Sequence, residues 1–257
     1  MRPIQNFHHA GAALPTIRQI SWQRPFFWLL AGWRDLKANP LPSLAYGILF
    51  ALGGDVIILT VIRHPHLISV AVSGFFLLAP LLAAGLYELS RRTAQGEKIL
   101  FIDSLRCFRR NGRSLALFGL FLGLTAILWE RFSAIAFALL GAGSDLDSGA
   151  FLKEIVFSGE HDTFVVAWFA LGAALALLVF ALAVVAVPML LDRDSDIVTA
   201  MMTSLDACVA NAGPLLLWAA LIVALTLTGF ATLLFGLLVI MPILGHASWH
   251  AYRELVE

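Results

Sequence analysis

Apolar residues in this chain come in long blocks, without the two-residue alternation of a half-buried strand or the one-sided stripe of a soluble helix. A block needs roughly 20 apolar residues to cross a ~30 Å hydrocarbon layer. Four blocks satisfy this: Pro42 to Ile62, Leu67 to Leu89, Ser114 to about Ala138, and Thr163 to Leu191. A fifth, Gly213 to Leu244, is too long for one ordinary crossing, and the pattern predicts a division near Thr228 and Gly229 into two helices. Ahead of the first block, Trp22, Phe26, Phe27, Trp28, Leu29, Leu30 and Trp33 are interleaved with Arg24, Arg34 and Lys37. That mixture suits an amphipathic helix lying in the membrane interface.

A weak internal repeat organises these blocks. WRDLKANPLPSLAYG around Asn39, LRCFRRNGRSLALFG around Asn111 and LDACVANAGPLLLWA around Asn211 each carry a mixed run, an asparagine, a glycine or proline within three residues, and an apolar helix. Asparagine caps helices well and proline suits a first turn, so each asparagine marks a bend from interface into bilayer. The closing helices align on proline at Pro80, Pro188 and Pro242. The predicted fold is therefore all-α and integral to the membrane. It has six transmembrane helices as three helical hairpins, each preceded by an interfacial amphipathic helix. The divisions are an N-terminal tail over 1–21 and one membrane domain over 22–257, with units of about 22–92, 99–192 and 197–257.

Composition agrees: 60% of residues are hydrophobic and 13% charged, outside the range of soluble globular chains. The formal net charge is +0, so nothing points to nucleic acid as a partner. The location of charge is more informative. Arg24, Arg34, Lys37, Arg91, Arg92, Lys98, Arg106, Arg109, Arg110, Arg113, Arg193 and Arg253 gather on the side that holds both ends, which the positive-inside rule makes cytoplasmic. The opposite loop, around residues 141–162, is acidic. The mixed, proline-broken start is not a signal peptide, and the cytoplasmic membrane is the expected location. Cys107 and Cys208 fall on the cytoplasmic side and are expected to be reduced.

Charges inside spanning blocks are candidate functional residues, because each costs about 3 kcal/mol at a helix centre. Asp55 is the deepest, followed by the Glu130-Arg131 pair beside Trp129. The pair also suits an outer membrane interface; Asp55 suits either a proton relay or a hydrogen bond between helices. His246 and His250, four residues apart in GHASWHAYRE, share one helical face and could ligate zinc, copper or haem iron. Aligning the three prolines puts Ala84, Asp192 and His246 at one equivalent position and Glu88, Asp196 and His250 at another, so Glu88, Asp192 and Asp196 join the histidines as candidate metal ligands. The competing reading makes His246, His250, Trp249, Tyr252 and Arg253 a polar aromatic collar where the last helix leaves lipid.

In combination, AGWRDLKANPLPSLAYG, APLLAAGLYELSRRTAQGE, VPMLLDRDSDIVTAMMTS and GHASWHAYRE resemble a family of predicted bacterial integral membrane proteins. Some members carry the label of a cytochrome c oxidase subunit I. The resemblance implies a multi-pass membrane protein and supplies no catalytic residue. Three functional classes stay open. One is a non-catalytic scaffold or accessory subunit, for instance of a respiratory complex, with a membrane-protein partner or a second copy beside the lipid bilayer. The others are a small-molecule or ion transporter and a metal- or haem-handling protein built on His246 and His250. No Walker loop or GxSxG elbow points to an enzyme.

Overall fold

The computed structural model describes residues 15–63, 82–139 and 162–257. Within them the chain is helical, with one isolated antiparallel bridge between Ile17 and Val256. The helices are α1 (Arg24–Ala38), α2 (Pro40–Arg63), α3 (82–94), α4 (Phe101–Ser104, continued by a 3-10 turn Leu105–Arg109) and α5 (Gly112–Leu139). They continue as α6 (Asp162–Ala183), α7 (Ala186–Asp192), α8 (Ile197–Ala210), α9 (Ala212–Ala231) and α10 (Leu237–Leu255). Among the described residues, four stretches are long and apolar enough to cross a membrane: Pro40–Leu59, Gly112–Ala136, Asp162–Asp192 and Ala212–Ala231. The start of the predicted 67–89 span and most of the acidic loop lie outside the described residues.

The fifth apolar block is divided, but at residues 232–236 and not at Thr228 and Gly229. Leu233 and Leu234 take positive φ values of 53° and 67°, a conformation that leucine rarely adopts. Thr232 supports the turn, donating its hydroxyl to the Thr228 and Gly229 carbonyls and accepting from the Gly236 N–H at 3.0 Å. Hydropathy could not locate this break, since Leu233 and Phe235 are apolar and the turn leaves both exposed.

Proline sets two further features. Pro188 cannot donate to Val184, and there the Asp162–Asp192 stretch bends between α6 and α7. Ser204 of α8 crosses to the bend, accepting from the Val185 N–H at 3.1 Å and donating to the Ala181 carbonyl at 2.6 Å. In α10, Pro242 frees the Leu238 carbonyl. The α2 backbone packs against that carbonyl at Gly47, where any Cβ would collide with it.

Three joints link short helices to long ones. Asn39 (φ −132°, ψ 66°) and Asn211 (φ −131°, ψ 39°) share nearly the same conformation. Each closes one helix with its N–H, at 3.0 Å to Asp35 and to Ala207, and opens the next with its carbonyl, which accepts from Ser43 and Leu215. Asn111 opens α5 in the same way. At Asn211 the side chain does not take the expected capping role, because backbone geometry already forms the joint. The amides reach segments distant in sequence. Asn39 donates to Thr93, Asn111 to the Ser195 carbonyl, and Asn211 to the Arg18 carbonyl while accepting from the Ile20 N–H. Residues 15–21 are accordingly tied down, with Arg18 also paired to Glu257.

Packing follows the same circuit. α1 lies against α10, α4 against α2, the 3-10 turn against α5, and α8 against α6 and α7. The closing helices form the interior: residues 84–90 of α3, 184–191 through the bend and α7, and Leu244, Gly245, His246 and Ala247 of α10 are all buried. α2, α5 and α9 carry exposed leucine, isoleucine and valine along their outer faces, as lipid contact requires.

A Gly47→Ala substitution is expected to lower stability by about 1–3 kcal/mol, because the obstruction is backbone and cannot rotate away. Gly119→Ala on α5, where an added Cβ meets nothing, should be neutral or mildly stabilising. Thermal unfolding of the detergent-solubilised variants checks both; equal melting temperatures for Gly47→Ala and the wild type would contradict the contact.

Candidate functional site

The buried polar centre of the described residues is a chain of side chains around His246. It is assembled from α1, α2, α3 and α10. Asp35 lies on the inward stripe of α1 with Trp28, Gly32 and Leu36. Ser43 sits one turn into α2, just past the Asn39 joint, and Ser90 lies on the buried face of α3. His246 lies one turn after Pro242 and is fully buried. Gly32 and Gly245 make the approach possible, because a Cβ on either would strike α10 or Leu86.

The hydrogen bonds fix the proton positions. Ser90 donates to Asp35 Oδ2 at 2.6 Å, so its one proton is committed. The Ser90 oxygen lies 2.7 Å from His246 Nδ1, which must therefore be the donor of that pair. In the neutral ring Nε2 is then the acceptor, and the Ser43 hydroxyl, 2.9 Å away, supplies the proton. The result is a directed chain: Ser43 to His246 to Ser90 to Asp35. His250, partly exposed one turn on, approaches the same Asp35 oxygen through Nε2 at 2.9 Å. Burial acts to raise the Asp35 carboxyl, but the hydrogen bonds from His250 and Ser90, with the nearby imidazoles, hold it below the usual carboxylate value of 3.8.

The sequence candidates are dispersed. His246 and His250 share a helix face, but both nitrogens of His246 are bonded to serine hydroxyls, so the pair is not a clamp as arranged. Glu88 is buried against Arg91 and Arg92 of its own helix, at 2.6–2.9 Å. Asp192 accepts from Tyr252 at 2.9 Å and pairs with Arg253 at 3.2 Å. Asp196 is the exposed N-cap of α8, where Thr199 and the first amides keep its carboxyl below the ordinary range. Among the described residues no group of three or more histidine, cysteine or acidic side chains is placed to hold a metal. The residues of the collar reading divide: Arg253 is exposed and His250 partly so. Trp249 and Tyr252, like His246, are buried in the protein core, because α1 and the α7 end cover the last helix.

Asp55 lies on the exposed side of α2, outside the His246 group. Glu130 and Arg131 pair with each other on α5, at 2.5 and 2.8 Å. Beside them Trp129 stacks on Trp168, which donates to Ser133 at 3.0 Å. Such an aromatic cluster with a self-paired charge suits a membrane–water interface. Asp35, Ser43 and Ser90 were not among the sequence candidates. The signal for Asp35 was the spacing Trp28, Gly32, Asp35, which puts a carboxylate on the stripe of an indole and a glycine.

Ser90→Ala should cost about 1–3 kcal/mol, because it leaves the Nδ1–H of a buried imidazole without an acceptor. The depressed Asp35 value adds stability that is present above pH 3.8 and lost as the pH falls through the folded-state value. Asp35→Asn is therefore expected to be less stable at neutral pH and to lose part of the acid-side decline. Unfolding midpoints between pH 3 and pH 7 test this; parallel curves for the two proteins would remove Asp35 as a contributor.

Residues 67–192 match the model of a family described as "Predicted integral membrane protein (DUF2189)". No curated protein and no solved structure matches the chain. The match supports, over the residues it covers, the family resemblance drawn from the sequence motifs, and with four helices apolar enough to cross a bilayer it identifies the chain as an integral membrane protein.

Proposed function

We propose that this chain is a non-catalytic membrane scaffold or accessory subunit, built from three hairpin units closed into a ring. The observation that carries this reading is the use of the buried polar side chains. Ser43, His246, Ser90 and Asp35 spend their donors and acceptors on one another, joining α1, α2 and α3 at the start of the chain to α10 at its end. A transport pathway or cofactor site needs polar groups aimed at a ligand; these are aimed at neighbouring helices.

The ring rests on the asparagine circuit. The first unit comprises α1, α2 and the span ending in α3. The second comprises α4 with its 3-10 turn, α5, α6 and α7, and the third α8, α9 and α10. Each asparagine amide holds the segment leading into the next unit, and that of the third returns to Arg18 and Ile20 ahead of the first. On this reading α1, α4 and α8 are the interfacial helices, and six crossings leave both termini on the cytoplasmic face of a bacterial inner membrane, where the arginines gather. The apolar outer faces are then free for lipid, a membrane-protein partner or a second copy.

Extraction in mild detergent, followed by native separation and mass spectrometry, is expected to show a stoichiometric membrane-protein partner or a homo-oligomer, without retained metal or haem. Solute-dependent uptake by the purified chain in liposomes would overturn the scaffold reading. Topology is tested separately: reporters fused after Ala94 and Glu257 should report cytoplasm and one after Asp147 the outside. An external Glu257 would break the six-crossing arrangement.

A further inference from the structure

The outward face of α1 and the sides of α9 and α10 enclose an apolar groove of about 410 Å³, lined by residues that include Phe26, Leu30, Trp33, Leu225, Ile240 and Ile243. The volume falls within the range of small-ligand sites. One wall, α9, is apolar enough to cross a membrane, and Leu216, Val223 and Leu227 on the same helix are exposed. The groove therefore belongs to a surface whose solvent is lipid.

Its two ends differ in charge. At one end Arg24 is held by Glu254. At the other, the Lys37 ammonium sits 5.6 Å over the Trp33 ring, and Arg34 is one turn beyond Leu30 on the same side of α1. Arg34 and Lys37 are both exposed, and among the described residues neither forms an ion pair with a carboxylate. Lys37 also complements the C-terminal dipole of α1, but that role calls for neither Arg34 nor the aromatic wall. An apolar trough ending in two uncompensated cations has the polarity of one amphiphile: acyl chain within, anionic headgroup at the mouth.

We propose that this groove binds an anionic phospholipid, with an acyl chain along Leu30, Trp33 and Leu225 and the headgroup phosphate at Lys37 and Arg34. The inference is independent of the scaffold reading. The purified chain should be reconstituted into vesicles of equal phosphatidylglycerol and phosphatidylcholine, re-extracted, and weighed by native mass spectrometry. The wild type is expected to retain one phosphatidylglycerol through washing. The double variant Arg34→Gln/Lys37→Gln should lose its preference for that lipid by about tenfold or more, since each basic residue near a membrane contributes to anionic lipid attraction. Leu225→Trp, which fills the trough, should lose bound lipid of either headgroup. Photoactivatable phosphatidylglycerol should label the peptides of α1 and α9 in the wild type, a readout that needs no variant to fold. The proposal is overturned by equal retention of the two lipids by the wild type, by undiminished preference in the double variant, by retention of a free fatty acid alone, or by labelling confined to other helices.

Discussion

A polar group inside a membrane protein has no water to fall back on, and the fold described here is arranged around that constraint at His246. The ring is fully buried, and each nitrogen is matched to a hydroxyl from a different helix. Removing any helix of the four leaves a donor or acceptor stranded, at a cost of about 1–3 kcal/mol. Four helices thus have one admissible register, which packing of leucine on leucine in lipid would not enforce. The same logic recurs at the α6–α7 bend, where Ser204 satisfies the Val185 N–H and the Ala181 carbonyl that the break in the helix leaves apart. It recurs again at Glu88, whose buried carboxylate is covered by two arginines of its own helix.

Glycine and proline make those bonds reachable. Pro242 frees a carbonyl of α10, Gly47 lets α2 lie on that carbonyl, and Gly32 lets α1 pack on the next turns. Backbone proximity then brings short side chains such as serine within bonding distance. The same closeness leaves α1 with two opposed faces. Trp28 is buried, in edge contact with Trp218 and donating to Glu254, while Phe26, Phe27, Leu30 and Trp33 face outward.

The spans were legible because block length is a one-dimensional property, and four of the predicted blocks coincide with apolar helices. The three asparagines were legible as joints, because a polar residue next to glycine or proline between two helical runs is a local signal. Their amide partners were not, since Asn211 bonds to residues 191 and 193 positions away. The histidine pair was visible for its spacing, but Ser43 and Ser90 lie 203 and 156 positions from His246 and look like ordinary small residues in apolar sequence. Asp35 was obscured because α1 was read around its aromatic residues as one apolar set, whereas helical phase divides them between two faces. The break at 232–236 was misplaced because a left-handed Leu233-Leu234 turn carries no compositional mark.

The pairing of the chain's two described ends bears on the order of assembly. Asp35, Ser43 and Ser90 leave the ribosome well before the imidazole that joins Ser43 to the Ser90–Asp35 pair, and Trp28 is covered only when α9 and α10 follow. With α1 to α8 in place, Asp35 and Ser90 already hold each other, while the Ser43 hydroxyl lacks its imidazole partner and the Trp28 indole lacks Glu254. Arrival of α10 supplies a partner for the Ser43 hydroxyl and a carboxylate for the Trp28 indole in one step, so this helix ties together segments made much earlier.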